Sequence, residues 1–289
     1  LRPSNPQWGS GHTNSWIFRG HADSRWKLLP SARRPDGRRK LEKLLRKQCS
    51  DALNCTWDEF NTLMQTPSRV VGDQKVVDTL RRIMVRAEED AVSSFVNLAD
   101  ELGHHVPDLL GRESPSKNTG LSDWSYPWAG MALAQHHKIP TVLLDWTRRP
   151  LYAARFAIDA THEPEASNIS VWALDTAALS TLAYTSRPSI SIETYPLASH
   201  DFLRAQDGVF TYCDDFSSFS FMREYGVLPD MLDFASKYCR KTQSCFMKRF
   251  DLCIEHVPSL NHILIRERIT QAHLMPTLDN VASFAISLW

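Results

Sequence analysis

Apolar positions in this chain recur either every three to four residues or every second residue. The first spacing predicts helices. It runs through 73–103, where Val76, Val77, Leu80, Ile83, Met84, Ala87, Ala91, Phe95, Leu98 and Leu102 keep the period with room for one break, and through 38–54, with Leu41, Leu44, Leu45 and Ala52. Shorter helices are predicted at 175–182 with Asp175 as cap, 230–241, 259–270 and 279–289. The second spacing, or a short apolar run, predicts strands at 15–19, 168–174, after Asp207-Gly208, and at 246–255. Gly20 is expected to end the first strand. A turn, His21-Ala22-Asp23-Ser24, and an extended piece at 26–30 follow. The compositions of 1–14, 111–123 and 184–200 predict a loose lead-in and two long loops.

The stretch 132–157 combines both spacings. Pro140 ends a helix near His137 or Lys138, because proline cannot continue it and restricts Ile139. Thr141-Val142-Leu143-Leu144 reads as a buried strand, and Asp145, Trp146 and Thr147 leave it as a polar-aromatic turn. Pro150 suits the first turn of the next helix, with Leu151, Ala154, Phe156 and Ile158 inward. Backbone N–H groups at such a turn favour anions, and Arg148 and Arg149 add positive charge. A plainer reading stands beside this one: Asp145 or Thr147 caps the helix, Trp146 packs, and the arginines are solvated.

Composition narrows this picture only slightly. With 43% hydrophobic and 23% charged residues among 289, the chain is of ordinary globular type. Its formal net charge of zero implies no broad grip on nucleic acid. The basic helix at 38–54 has a nucleic-acid reading and a solvated-face reading. Cys49, Cys55, Cys213, Cys239, Cys245 and Cys253 lack zinc-site spacing. Reduced structural thiols, no metal and a cytoplasmic location are therefore expected. No run is long enough to cross a membrane. The start at Leu1 suggests a fragment of a longer chain.

Three segments in order resemble the FRG domain family. They are Trp16-Ile17-Phe18-Arg19-Gly20-His21, Gln135-His136-His137-Lys138-Ile139-Pro140-Thr141 with Leu143-Leu144-Asp145-Trp146-Thr147, and Arg204-Ala205-Gln206-Asp207-Gly208-Val209-Phe210-Thr211. Leu274-Met275-Pro276-Thr277-Leu278-Asp279 is similar to the family's closing motif, and Lys138 stands where the family usually has Gly. More distantly, Arg19-Gly20, Asp145-Trp146-Thr147 with the following helix, and Gln206 before its strand resemble the three motifs of ADP-ribosyltransferases. That resemblance implies an α+β fold with a split β-sandwich core, a pair of small, mostly antiparallel sheets. Helices would surround it, and 1–289 would form one domain with a mainly helical insertion at 36–123.

It also implies NAD as substrate, with ADP-ribosyl transfer or NAD glycohydrolysis at one pocket formed by Arg19, Thr147 and Gln206. Arg19 would hold the pyrophosphate, Gly20 would let the backbone approach the nicotinamide amide, and His21 would bind a ribose hydroxyl. Trp146 would stack on a flat ring, and Thr147 would orient the nucleophile's side. Gln206 occupies the usual position of a catalytic Glu yet cannot take a proton, which leaves Asp145, Asp207 or Glu193 as the carboxylate. Gln135 and His136 would fix Asp145 or Trp146 by hydrogen bonds. Arg19 and Asp145 have a structural reading as well, as an ion pair. Two other functions stay open: a module that binds a nucleotide or RNA phosphate without turnover, and an interaction domain whose insertion docks a protein. The acceptor would be a protein, a nucleic acid or water, and no membrane is implied.

Overall fold

The structure, a computed structural model, describes residues 15–52, 55–104, 106, 128–159, 165–179, 190–194, 201–213, 215–238 and 246–287. The lead-in at 1–14, the loop at 111–123, Cys239 and Cys245 lie outside the described residues.

Six strands form one antiparallel sheet: β1 (Trp16–His21), β2 (Leu143–Thr147), β3 (Asn168–Asp175), β4 (Ile190–Glu193), β5 (Gly208–Cys213) and β6 (Met247–Cys253). Their order is β4-β5-β2-β1-β3-β6. The expected pair of small sheets is thus corrected to a single sheet. The joint between its halves is narrow, however. β1 meets β2 at one register pair, Phe18↔Thr147, whereas β1 follows β3 from Trp16↔Asp175 to His21↔Ser170. From that pair toward Arg19 on β1 and Asp145 on β2 the ladder is not continued, and a gap opens.

Between β1 and β2 the described chain leaves the strand through a turn and an extended piece at 22–30 and is then mainly helical up to residue 101. The helices are α1 (Pro35–Lys40), α2 (Glu42–Ala52), α3 (Trp57–Gln65) and α4 (Gln74–Glu101), followed by α5 (Trp128–His136). The long helix forms unbroken, and Asp73 Oδ1 caps it by accepting from Val76 N. The helix expected at 38–54 divides at Leu41 into two helices over its described part, up to residue 52. After β2 come α6 (Pro150–Asp159), α7 (Asp201–Ala205), α8 (Asp215–Tyr225), α9 (Met231–Tyr238), α10 (Val257–Arg266), α11 (Gln271–Leu274) and α12 (Leu278–Ile286). α8 has no counterpart in the sequence reading, and β4 lies within the stretch expected to be a loop.

Three strand expectations shift for one reason: polar or small residues fit strands when one face meets a helix or a cleft. β1 continues through Gly20 to His21. β2 begins later than expected and runs through Asp145-Trp146-Thr147, which is strand and not turn. β3 and β6 fall where expected.

One sheet face packs Ile17, Leu144, Trp146, Trp172, Val209, Met231 and Phe234 into a common core. On the other, α6 covers β1 and β3 through Ala153 and Ala154 against Phe18, Val171 and Ala173. Met131, Ala132, Leu203 and Phe210 fill the space between α5, α7 and β5. The helical segment has its own cluster, including Leu45, Phe60, Leu80 and Met84, which Phe219 and Met222 of α8 complete. Arg33 and Glu88, both buried, pair in a short contact that ties the segment after β1 to α4. Among the described residues, no helix is long and apolar enough to cross a membrane.

Candidate functional site

The gap between β1 and β2 is spanned by one side chain. Arg19 Nη1 donates to the Asp145 main-chain oxygen at 2.7 Å and lies 3.5 Å from Asp145 Oδ2. Its Nε donates to His21 Nε2 at 3.2 Å. The guanidinium is mostly shielded, 14% exposed, whereas the Asp145 carboxylate is 59% exposed. Burial lowers the Arg19 pKa from its ordinary value, and the Asp145 charge and hydrogen bond oppose that shift.

Asp145 is held from its other side too. Gln135 Nε2 donates to Oδ1 at 2.5 Å. Gln135 is itself oriented by the Thr141 hydroxyl, which donates to its Oε1 in a short contact and accepts from Leu143 N. The carboxylate therefore stands in a fixed attitude between the end of α5 and β1. α5 stops there because Lys138 turns left-handed at φ 66°. Lys138 N donates to Gln135 O and Ile139 N to Ala134 O, which closes the helix end.

Asp145 faces a cavity of about 180 Å³ that His136, Phe202, Gln206 and Phe210 also line. A cavity of about 150 Å³ is enough for one benzene ring, so this one takes a single flat ring with small substituents. His136 stacks on Phe202, with ring centroids 4.3 Å apart. Gln206 Nε2 donates to Leu274 O at 3.2 Å, which brings the closing motif to the third motif. Gln206 Oε1 has no hydrogen-bond partner among the described residues.

Among the described residues Asp145, His136 and Gln206 line the cavity, whereas Arg19, Gln135 and Thr147 meet it only through their bonds to Asp145 or Gln206, and several expected roles change. Thr147 is buried, and its hydroxyl is used on both sides. It donates to Gln206 O at 2.7 Å and accepts from Arg149 N at 3.1 Å, locking the turn into α6. It is not free to orient a nucleophile. Trp146 packs in the core and its Nε1 donates to Thr211 Oγ1, while the residue also lines the cavity. Gly20 is required by packing. A Cβ there would sit 2.0 Å from Ala153 O and 2.7 Å from Ala157 N, so only glycine lets α6 lie this close to β1.

His21 is buried beside Arg19. Burial, reinforced by the charges of Arg19 and Arg34, lowers its pKa to about 3. The ring is therefore neutral at ordinary pH, with Nε2 as acceptor for Arg19 and Nδ1 buried without a hydrogen-bond partner among the described residues. Its position supports Arg19 and does not offer a ribose contact in the cavity. Asp207 is occupied by Arg149 at 3.0 Å and Arg148 at 3.7 Å, so its carboxylate is already paired. Glu193 pairs across β5 with Phe210, and its Oε1 accepts from Ser191 Oγ. Asp145 opposes the same Phe210 from β2, so Glu193 lies two strands away from it on the same face.

Two neighbours escaped the sequence reading. Trp26 has an open indole, 37% exposed, whose ring centroid is 6.0 Å from that of His21. Arg34 lies near Arg19 and Asp145 and is influenced by both charges. Neither belongs to a motif. The chain brings Arg34 in by docking residues 31–33 on Thr141, which no local pattern announces.

The site thus consists of a guanidinium bridging two strands and a half-exposed carboxylate beside a ring-sized cavity, in a mixed α/β domain built on one antiparallel sheet. The FRG domain family model matches residues 14–166, and the chain belongs to that family. The match takes in β1, the helical segment, β2 and α6. Gln206 and the closing motif lie beyond it. No curated protein and no solved structure matches the chain.

Proposed function

We propose that this site binds NAD and breaks its nicotinamide–ribose bond, passing ADP-ribose to water or another acceptor. The observation that carries the reading is Asp145, a carboxylate fixed by Gln135 and Arg19 at the mouth of a ring-sized cavity. The nicotinamide ring fits the cavity beside Phe202, and Gln206 Oε1 offers an acceptor for the carboxamide N–H. Arg19 lies next to Asp145, where a pyrophosphate would approach it.

As the C–N bond breaks, its electron pair leaves with nicotinamide and positive charge builds on the ribose carbon. A preorganised carboxylate stabilises that charge and takes the proton of an attacking water. The test is nicotinamide release by the wild type, by Asp145→Asn and by Arg19→Ala. Asp145→Asn should lower kcat about 100-fold or more, the range for losing a general base. No release by the wild type, or equal release by Asp145→Asn, overturns the catalytic reading.

A second reading is binding without turnover. It is favoured because both Asp145 oxygens already face hydrogen-bond donors and Gln206 carries no charge. Calorimetric binding of NAD with no product would select it.

A further inference from the structure

We propose that Arg34 and Arg19 together form a diphosphate-binding subsite at the β1–β2 gap, with Arg34 as the second clamp. The inference rests on the dinucleotide reading above and names a residue that reading did not use.

The placement is built by hydrogen bonds. Ala32 N donates to Thr141 O at 3.0 Å, Thr141 N to Ser31 Oγ at 3.0 Å, and Ser31 Oγ to Thr141 O at 3.2 Å. Thr141 is the residue that orients Gln135 on Asp145, so the turn carrying Arg34 is locked to the frame that holds Asp145. The Arg34 stem is fixed in turn, since Nε donates to Leu29 O at 2.7 Å. Among the described residues its terminal nitrogens have no acceptor, and neither has Arg19 Nη2.

The charges do not balance. Arg19 bonds Asp145 directly, and on the half-buried Arg34 the repulsion from Arg19 outweighs the pull of exposed Asp36 and then of Asp145, while His21 is neutral. Each guanidinium disfavours the other in a partly dry setting. An anion relieves that repulsion, and a fork matches a phosphoryl group through paired N–H bonds. Two forks suit two linked phosphoryl groups better than one, so orthophosphate should bind more weakly than inorganic pyrophosphate.

The experiment is calorimetric titration of the wild type, Arg34→Gln and Arg34→Lys with inorganic pyrophosphate, then with orthophosphate, then with NAD. The wild type should bind pyrophosphate in preference to orthophosphate. Arg34→Gln should lose about tenfold or more in pyrophosphate affinity, and Arg34→Lys should retain part of it because it keeps the charge without the fork. Urea midpoints of all three proteins control for folding, and Arg34→Lys keeps the test decisive if Arg34→Gln is unstable. No pyrophosphate binding by the wild type, or full affinity in both variants, overturns the subsite. If NAD binds and Arg34→Gln leaves its affinity unchanged, the subsite falls while the dinucleotide reading stands. If pyrophosphate binding depends on Arg34 but NAD does not compete, the dinucleotide reading falls and the subsite stands.

Discussion

Lys138→Gly should stabilise the protein. Lys138 adopts φ 66° just after α5, with Lys138 N bonded to Gln135 O at 2.9 Å and Ile139 N to Ala134 O at 3.0 Å. This is the helix ending that glycine ordinarily serves. A side chain in the left-handed region costs roughly 1–2 kcal/mol. Glycine offsets part of that gain because its unfolded chain is freer, by about 0.4–1 kcal/mol. Lys138 is exposed, so its side chain contributes little packing that would be lost. The net gain is about 0.5–1 kcal/mol, or about 2 °C in Tm for a chain of this size. Urea titration at constant m value measures it directly. Arg268 supplies an internal replicate. It sits at φ 58° with the same bond pair, Arg268 N to Ile265 O and Ile269 N to Leu264 O, at the end of α10. Arg268→Gly should give a gain of similar size, and the two should add, since they close different helices. A lowered or unchanged midpoint for both variants would refute the assignment of left-handed strain at these ends.

Gly20→Ala should destabilise by about 3 kcal/mol or prevent folding, because the new Cβ would meet main-chain atoms of α6 that cannot rotate away; soluble yield and urea midpoint report it. For His21, the folded pKa of about 3 lies below the unfolded value of about 6.5, so the unfolded chain binds the extra proton between them. Stability should therefore fall as pH drops through that window, by at most about 1.4 kcal/mol per pH unit from this group, and His21→Gln should flatten the slope. Glu88→Gln leaves Arg33 charged and buried without its counter-ion, and should cost about 3–5 kcal/mol in a denaturant titration.

Sequence reading worked best where local chemistry decides. Pro150 opens α6 and α5 stops before Pro140, each from residues adjacent to the event. The two arginine–carboxylate partners, Arg19 and Asp145, were legible as a possible ion pair, and Gln135 as a residue that would fix Asp145. What failed was tertiary in origin. Asp145-Trp146-Thr147 looks like a turn, yet pairing with β5 makes it strand and turns Trp146 into the core. Gly20 resembles a ligand-facing glycine until α6 is placed against it. Arg34 comes under the influence of Arg19 and Asp145 because residues 31–33 dock on Thr141, more than a hundred positions away.

α8 turns Phe219 and Met222 toward the helical segment and Phe221 toward the core beneath the sheet. It acts as a bolt through two plates. Cutting away the helical segment would leave two large apolar side chains facing water, so a shortened chain should clump instead of standing alone. The two halves should melt as one body, in a single calorimetric peak.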